Sequence, residues 1–340
     1  MELRTGIVDK PSDHLDHCWY VVGTVDQATL SASGPLRVTL REIDYVIWRA
    51  SDGSLTATRD RCPHREAPLS EGELKDGCIT CAYHGWRFGK EGMCIEIPSA
   101  RPEIPIPKSA HLAMASIEEH YGLLWLCPGE PRQNVPRLGV DSDQSFTRLN
   151  TPIQIWHCSP TRMIDNMLDV SHFPYTHRGT FGRDQEKVVP RFQLTQLDET
   201  FYGYEYDVVI NNSDGAQIMS GHSDDVISLQ MSTGFCLPFS VRSTMTYANG
   251  IKQTLFMTAS PITQKKSYYT FVLWRNDNVE TSGREIVDFE LAVTDEDRSM
   301  LERLRGELSL DQGHLVDVQS DKASVEWRRR YARLVKEGVF

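Results

Sequence analysis

The chain has 340 residues, and 36 lysines and arginines against 47 aspartates and glutamates give it a formal net charge of −11. This acidic balance argues against nucleic acid or an anionic membrane surface as the main partner, because both require a basic footprint. No stretch reaches the 18 or more apolar residues of a membrane span, and the first residues are too polar for a signal peptide. We therefore expect a cytoplasmic protein of about two domains. In that compartment its eight cysteines are thiols or metal ligands rather than disulfides.

The first 135 residues predict a small antiparallel β domain, because short apolar runs of strand length alternate with turns. These runs lie at residues 19–23, 46–48, 55–58 and 123–127. A stretch at 97–107 carries four prolines and does not fit regular structure. Prolines and glycines between 128 and 139 predict a domain boundary near residue 135, which gives domains 1–135 and 136–340.

Two cysteines in the first domain are each paired with a nearby histidine. Cys62 and His64 form a C-x-H pair, and after sixteen residues Cys81 and His84 form a C-x-x-H pair. Two tight loops of this kind offer two thiolates and two imidazoles to a metal site. In a Rieske [2Fe–2S] centre two histidines replace two cysteines on one iron. A structural zinc site and ordinary buried cysteines with surface histidines stay as alternatives, although C-x-H spacing is unusual for a zinc finger.

The segment CPHREAPLSEGELKDGCITCAYHGWRFG resembles the Rieske motif of the Rieske non-haem iron oxygenases. The resemblance implies that Cys62 and Cys81 ligate one iron of the cluster and that His64 and His84 ligate the other. Rieske ferredoxins and respiratory Rieske proteins also carry this motif, so it does not by itself indicate an oxygenase.

Beyond residue 136 the pattern predicts an α+β domain, in which helices pack on one face of an antiparallel sheet in a helix-grip-like arrangement. A helix is predicted over 159–172 and two more over 282–308 and 321–335. Strands are predicted at 202–210, 227–231, 241–247, 254–260 and 268–274.

The helix near residue 160 presents a second group of possible ligands. Asn166, Asp169 and His172 recur every three residues along one side of it. Pro174 disfavours further helix, so the chain can bring His177 back toward His172. Two histidines alone are weak evidence, because a facial iron triad needs one carboxylate more.

The late helix supplies a candidate carboxylate. Its apolar stripe passes through Asp297, in the order Ile286, Phe289, Val293, position 297, Met300 and Leu304. An acid in a core stripe must be paired, hydrogen-bonded or bound to metal. It could form a salt bridge to Arg242 or Arg329, or it could be the carboxylate of an iron site. Its neighbours Asp295 and Glu296 lie off the stripe and are expected to be solvated.

This second group also resembles the Rieske oxygenases, which carry N-x-x-D-x-x-H-x₄-H before a late aspartate. The resemblance covers nearly the whole chain. It is closest to the short single-subunit members, which include O- and N-demethylases and hydroxylases of the saxitoxin pathway. It implies that His172, His177 and Asp297 hold a mononuclear Fe(II) with positions free for O₂, in a homotrimer. Asp169 would bridge an iron histidine of one subunit and a cluster histidine of the next, with His84 as its partner, and Asn166 would lie near the iron.

The implied function is hydroxylation or oxidative demethylation of a small organic substrate. We find no flavin- or nicotinamide-binding glycine fingerprint, so electrons from NAD(P)H would arrive through a separate reductase. The partner that delivers them would be a ferredoxin, a flavin reductase or both. The alternatives are a Rieske electron carrier fused to a ligand-binding domain without oxygenase activity, and a zinc-stabilised binding protein. The pocket is expected between the sheet after residue 200 and the helix of Asp297. Four phenylalanines could line the pocket or the core, and the core is the favoured expectation: Phe201, Phe235, Phe239 and Phe256.

Overall fold

The computed structural model describes residues 14–26, 34–277, 279–280, 282–304, 308, 310 and 315–340. The chain divides into two compact units, Met1–Val135 and Pro136–Phe340. Antiparallel sheets form the frame of both units, and the second adds helices, so the α+β prediction is confirmed. Among the described residues, no helix combines the length and apolarity needed to cross a membrane.

The first unit contains a six-stranded and a four-stranded antiparallel sheet. The larger sheet has the order β1-β10-β9-β4-β3-β2, and the smaller has the order β5-β6-β7-β8. Three of the four predicted runs are parts of longer or shifted strands, and the fourth coincides with β10. The strands are β1 (Tyr20–Thr24), β2 (Leu36–Leu40), β3 (Ile43–Arg49), β4 (Leu55–Arg59), β5 (Glu73–Lys75), β6 (Cys78–Thr80), β7 (Arg87–Phe88), β8 (Cys94–Glu96), β9 (Met114–His120) and β10 (Leu123–Cys127).

A two-residue turn sets the register of the smaller sheet. Asp76 and Gly77 join β5 to β6 with φ of 52° and 70°, the positive values that an Asp-Gly hairpin turn adopts readily. A side chain at Gly77 would also collide with the backbone, since its Cβ would lie 2.0 Å from the Ser51 nitrogen. The buried cluster beside this sheet includes Cys62 and Cys81, so both thiols belong to the core of the unit.

The second unit is built on an eight-stranded antiparallel sheet. Seven strands follow the order β11-β18-β17-β16-β15-β14-β13, and β12 also pairs with β18. The five predicted strands are all found, each longer than or shifted from its predicted range. The strands are β11 (Thr147–Asn150), β12 (Gln154–Trp156), β13 (Thr195–Gln196), β14 (Tyr202–Asn211), β15 (Val226–Cys236), β16 (Ser240–Thr246), β17 (Lys252–Thr263) and β18 (Lys266–Arg275).

In the described part of the chain five α-helices accompany this sheet, and the first of them is shorter than predicted. They are α1 (Pro160–Leu168), α2 (Phe173–Thr176), α3 (Asp214–Ser220), α4 (Gly283–Leu301) and α5 (Lys322–Glu337). The predicted helix over 159–172 stops at Leu168, because the next side chain, Asp169, accepts hydrogen bonds from the backbone N–H groups of Ser171 and His172. Pro174 does not break a helix but lies in the first turn of α2, where proline is tolerated.

The stripe predicted on α4 is partly wrong. Ile286 is buried, but Met300 and Leu304 are 49% and 43% exposed. The buried face passes instead through Glu290 and Thr294, which are polar. The helix ends at Leu301, and residues 305–307 of its predicted range lie outside the described part of the chain. The four phenylalanines expected in the core are buried as predicted.

Candidate metal centres

The two Cys/His loops of the first unit have matching backbones. In each loop the cysteine carbonyl accepts a hydrogen bond from the residue four positions later, at 2.9 Å for Glu66 and Cys62 and 3.0 Å for Gly85 and Cys81. The cysteine N–H in turn donates to the carbonyl five positions later, at 2.9 Å in both loops. Glu66 and Gly85 both have positive φ, 62° and 71°. The two loops are therefore the same turn used twice.

These loops bring two thiols together and two imidazoles together. Cys62 and Cys81 are 1% and 2% exposed, and the ring centroids of His64 and His84 are 4.5 Å apart. Burial raises the pKa of the Cys62 thiol to about 11, although the backbone N–H groups of His64 and Arg65 donate to its sulfur and lower the pKa. Hydrogen bonds of this kind to ligand sulfurs help to set the potential of an iron–sulfur cluster.

One imidazole nitrogen supports a ligand role. His64 Nδ1 is buried without a hydrogen-bond partner among the described residues. A buried polar atom of this kind is energetically costly unless a bound non-protein group, such as a metal, interacts with it. The ring is held in place by stacking on Trp86, with centroids 4.5 Å apart and planes 7° from parallel. The arrangement fits a [2Fe–2S] cluster with two thiolate and two imidazole ligands.

In the second unit, His172, His177 and Asp297 converge, as the sequence predicts. The two Nε2 atoms are 3.2 Å apart, and each lies 3.4 Å from Asp297 Oδ1. Among the described residues, these three form a group of possible metal ligands whose ligand atoms all lie within 4.8 Å of one another. Ligands about 2.1 Å from a metal and at right angles to one another lie about 3 Å apart, so the three atoms fit one face of an iron coordination sphere.

Each histidine of this group is oriented by a carboxylate on its other nitrogen. Asp169 Oδ2 lies 2.8 Å from His172 Nδ1, and Glu296 Oε2 lies 3.0 Å from His177 Nδ1. A carboxylate at Nδ1 keeps the proton on that atom and leaves Nε2 free for a metal. Burial lowers the pKa of His172, but its contacts with Asp169 and Asp297 outweigh burial and raise it to about 9. Burial is also the main cause of the lowered pKa of His177.

Glu296 is a side chain of the metal site that the sequence pattern did not predict. It was expected to be solvated, but it also accepts hydrogen bonds from Gly179 N at 3.0 Å and Thr180 Oγ1 at 2.7 Å. The expectation was wrong because it used only the position of Glu296 on α4, whereas its partners come from the chain that follows α2. Asp295 is exposed, as expected.

Two further predicted residues lie beside the group. Asn166 Nδ2 is 3.4 Å from Asp297 Oδ1, close enough to orient that carboxylate. The salt-bridge interpretation of Asp297 finds no support, because the two arginines considered for it have other acidic partners. Arg242 pairs with Asp198, and Arg329 pairs with Glu326.

A cavity opens beside the three ligand atoms. Its empty space, counted out to its mouth, is about 1050 Å³, and its lining comes mainly from β14 to β18, α1 and α4. Most of the lining side chains are apolar, for example Leu229, Met257 and Phe289. The cavity lies where the sequence predicts the pocket, and its lining suits an apolar compound beside the candidate metal site.

Comparisons with known proteins define the class. Residues 18–115 match the Rieske [2Fe-2S] domain, and residues 156–337 match the vanillate O-demethylase oxygenase C-terminal domain. Methylxanthine N1-demethylase NdmA of Pseudomonas putida is 27% identical over 98% of this chain and 93% of its own length. The vanillate O-demethylase oxygenase subunit of a Pseudomonas sp. is 32% identical over 51% of this chain and 48% of its own.

Solved structures share the fold. Pseudomonas putida CBB5 NdmA with caffeine has a TM-score of 0.83 at 24% identity and covers 96% of this chain and 92% of its own. Dicamba monooxygenase bound to dicamba has a TM-score of 0.79 at 20% identity and covers 96% and 98%. With both family matches in chain order, this chain belongs to the Rieske non-haem iron oxygenases as a catalytic subunit with a vanillate O-demethylase-type C-terminal domain.

The class fixes the cofactors and the kind of reaction. The enzyme uses a [2Fe–2S] cluster, a mononuclear iron and O₂, acts on a small molecule and takes its electrons from a separate reductase. The prediction of an oxygenase is therefore confirmed, and neither an electron carrier without oxygenase activity nor a zinc-stabilised binding protein is favoured.

Proposed function

We propose that His172, His177 and Asp297 hold the mononuclear iron and that the enzyme inserts oxygen into a C–H bond of a substrate in the adjoining cavity. The observation that carries this proposal is the triangle of ligand atoms, 3.2 to 3.4 Å on each side, at the wall of a largely apolar cavity. The bound iron supplies O₂ activation, for which a two-His-one-carboxylate face leaves coordination positions open.

The side chains around this face hold its geometry. Asp169 and Glu296 fix the Nδ1 protons of the two histidines, and Asn166 steadies Asp297. The apolar lining excludes bulk water and holds the carbon to be oxidised against the iron-facing wall. The overall reaction consumes one O₂, two electrons and two protons. One oxygen atom enters the C–H bond and the other leaves as water. Insertion at an O- or N-methyl group gives a product that releases formaldehyde, so hydroxylation and demethylation share one chemical step.

We propose further that Cys62 and Cys81 bind one iron of the cluster and that His64 and His84 bind the other. His84 is exposed. The Asp169 side chain is 22% exposed although its oxygens already bind His172 and Ser171. Asp169 therefore has the chemistry to link His172 to His84 of a neighbouring copy in a homotrimer. The cluster of one copy would then supply electrons to the iron of the next. The electron donor is a ferredoxin, a flavin reductase or both, and the enzyme works in the cytoplasm.

The ligand assignment is tested by counting iron. Asp297→Ala should lower iron from three to two per chain while the visible absorption of the cluster stays unchanged, since the cluster ligands are untouched. The matched control is Asp295→Ala, an exposed acid on the same helix, which should keep all three. Three irons in the Asp297 variant would refute the assignment.

The bridging role of Asp169 has a separate test. Asp169→Asn should retain cluster and iron and accept electrons from the reductase at the normal rate, yet fail to form product in a single turnover. Normal product formation by this variant would exclude the bridge. Sedimentation of the wild-type protein as a monomer would exclude the trimer.

The reaction is tested with reductase, ¹⁸O₂ and a panel of small aromatic ethers, N-methyl compounds and hydrocarbons. A product that gains one ¹⁸O atom, or that loses a methyl group with release of formaldehyde, is expected. Consumption of O₂ without oxygen in any organic product, for every compound that binds, would contradict the proposal.

A further inference from the structure

The cavity contains an acid that the metal site does not use. Glu290 lies on α4, seven residues before Asp297, and is 6% exposed. At a rise of 1.5 Å per residue, the two Cα atoms are about 10.5 Å apart along the helix. Both residues line the same cavity, and none of its described lining residues is a lysine or arginine. Glu290 therefore marks the part of the cavity remote from the iron.

A chain of hydrogen bonds determines which carboxylate oxygen of Glu290 is already occupied. Arg275 Nη1 donates to Gln253 Oε1 at 2.8 Å, and Gln253 Nε2 donates to Glu290 Oε1 at 2.5 Å. Because arginine can only donate, the amide of Gln253 must present its oxygen to Arg275 and its NH₂ group to Glu290. Oε1 of Glu290 is thus occupied as an acceptor. Among the described residues, Oε2 has no hydrogen-bond donor of its own and is left for a ligand.

The cation that acts on Glu290, Arg275, is already paired with another acid. Arg275 is fully buried and forms two hydrogen bonds with Asp277, at 2.8 and 2.6 Å, so its charge is already paired. Burial raises the pKa of Glu290 to about 7, although Gln253 and Arg275 lower it. An ionised carboxylate in an apolar cavity is costly unless a cation accompanies it.

Two phenol groups accompany this acid. Tyr247 and Tyr269 line the same cavity, and burial raises the pKa of both hydroxyls. The charge of Glu290 adds to this shift at Tyr247, and the charges of Asp297 and Glu290 add to it at Tyr269. Neither hydroxyl forms a hydrogen bond to another residue in the described part of the chain. They are neutral at ordinary pH and can accept an N–H group that approaches Glu290.

We propose that Glu290 binds a protonated nitrogen of the substrate, so that the natural substrate is an amine whose cationic nitrogen lies remote from the carbon that is oxidised. The inference rests on the proposed function, because it concerns the substrate of that same site. A carboxylate with one free oxygen and two phenol acceptors, in a cavity whose described lining has no lysine or arginine, favours an ammonium group over a neutral or anionic one. The apolar walls between Glu290 and the iron would hold the hydrocarbon part of the molecule.

The test compares three probes that share a phenyl ring and an alkyl chain: 4-phenylbutylamine, 4-phenylbutan-1-ol and 4-phenylbutanoate. Binding is measured by calorimetry on the protein with its cluster and iron in place, without reductase or O₂. The amine should bind at least about ten-fold more tightly than the alcohol, the size expected of one hydrogen bond between charged groups. The carboxylate should bind most weakly.

Glu290→Gln should reduce amine affinity at least about ten-fold and change alcohol affinity by no more than two- or three-fold. The matched control is Asp288→Asn, an exposed acid on the same helix, which should leave the probe order unchanged. If the Glu290 variant does not fold, the wild-type order still decides. An amine that binds no better than the alcohol overturns the proposal, and so does an amine preference that survives Glu290→Gln.

The calorimetry requires no turnover, so it separates this inference from the reaction itself. Failure to incorporate ¹⁸O would refute the oxygenase reaction and leave the probe order intact. Loss of the amine preference with normal oxygen insertion would refute only the role of Glu290.

Discussion

Replacing Glu290 with glutamine should make the protein more stable at high pH than the wild type and almost equally stable at low pH. The substitution is close to isosteric, and the amide oxygen of the new side chain can still accept the hydrogen bond from Gln253. What it removes is a carboxyl group whose pKa burial raises from an ordinary 4.5 to about 7. The groups that face this carboxyl are Gln253, Arg275, Tyr247 and Tyr269. Burial raises the pKa of both phenols above their ordinary value, so neither titrates between pH 4.5 and 7.

The sign and size of the effect follow from that pKa. Because the folded-state value lies above the unfolded value, the protonated carboxyl stabilises the fold below pH 4.5, and this contribution is lost as the pH rises through 7. A pKa shift of one unit corresponds to about 1.36 kcal/mol, so the shift of the Glu290 pKa from 4.5 to about 7 corresponds to about 3 kcal/mol. The wild type should lose about this much free energy of unfolding, relative to the glutamine variant, between pH 4.5 and 8.

The assay is urea unfolding monitored by tryptophan fluorescence at pH 5, 6, 7 and 8. The difference in free energy of unfolding between the two proteins is measured at each pH. The difference cancels titrations that both proteins share, including those at the metal sites. Asp288→Asn makes the same change of charge at an exposed position and should stay parallel to the wild type throughout. Parallel curves for Glu290→Gln would refute the burial argument, since they would mean that Glu290 has an ordinary pKa in the folded protein.

Other substitutions test the fold and the iron site. Gly203→Ala should cost several kcal/mol in unfolding free energy, because its Cβ would lie 2.0 Å from a backbone oxygen of the next strand, whereas Gly139→Ala, with open space around it, should cost little. Trp327→Ala should cost about 3–5 kcal/mol by the same urea assay, since this fully buried ring leaves a cavity. Glu296→Gln should weaken iron retention against a chelator about 10- to 100-fold, and unchanged retention, equal to that of Asp295→Asn, would remove Glu296 from the iron site.

Local spacing made much of the metal chemistry predictable. Each Cys/His pair lies within one tight turn, so the residues that can face a common site are neighbours in sequence. The two histidines of the second site are also close in sequence, and the structure brings them together as expected. The route differs from the prediction, because α1 ends at Leu168 and Pro174 lies in α2, so both histidines lie at the ends of a short separate helix.

Polar partners on the late helix were less predictable. A stripe of apolar residues predicted that Asp297 faces inward, but the same reasoning missed Glu290, which is the more buried acid. The stripe was judged from hydrophobicity alone. A helix that lines a cavity can place polar side chains on its inward face, and nothing in its own sequence distinguishes such a face from a solvated one.

The sequence by itself determined the two metal motifs, the two-part organisation and the class of chemistry, because ligand spacing and turn residues act over a few positions. Only the tertiary structure decided that Glu296 holds His177 and that Glu290 lies in the cavity with one oxygen free. Both depend on how α4 packs against segments more than 30 residues away in the chain, and a contact of that kind leaves no periodic trace in the sequence.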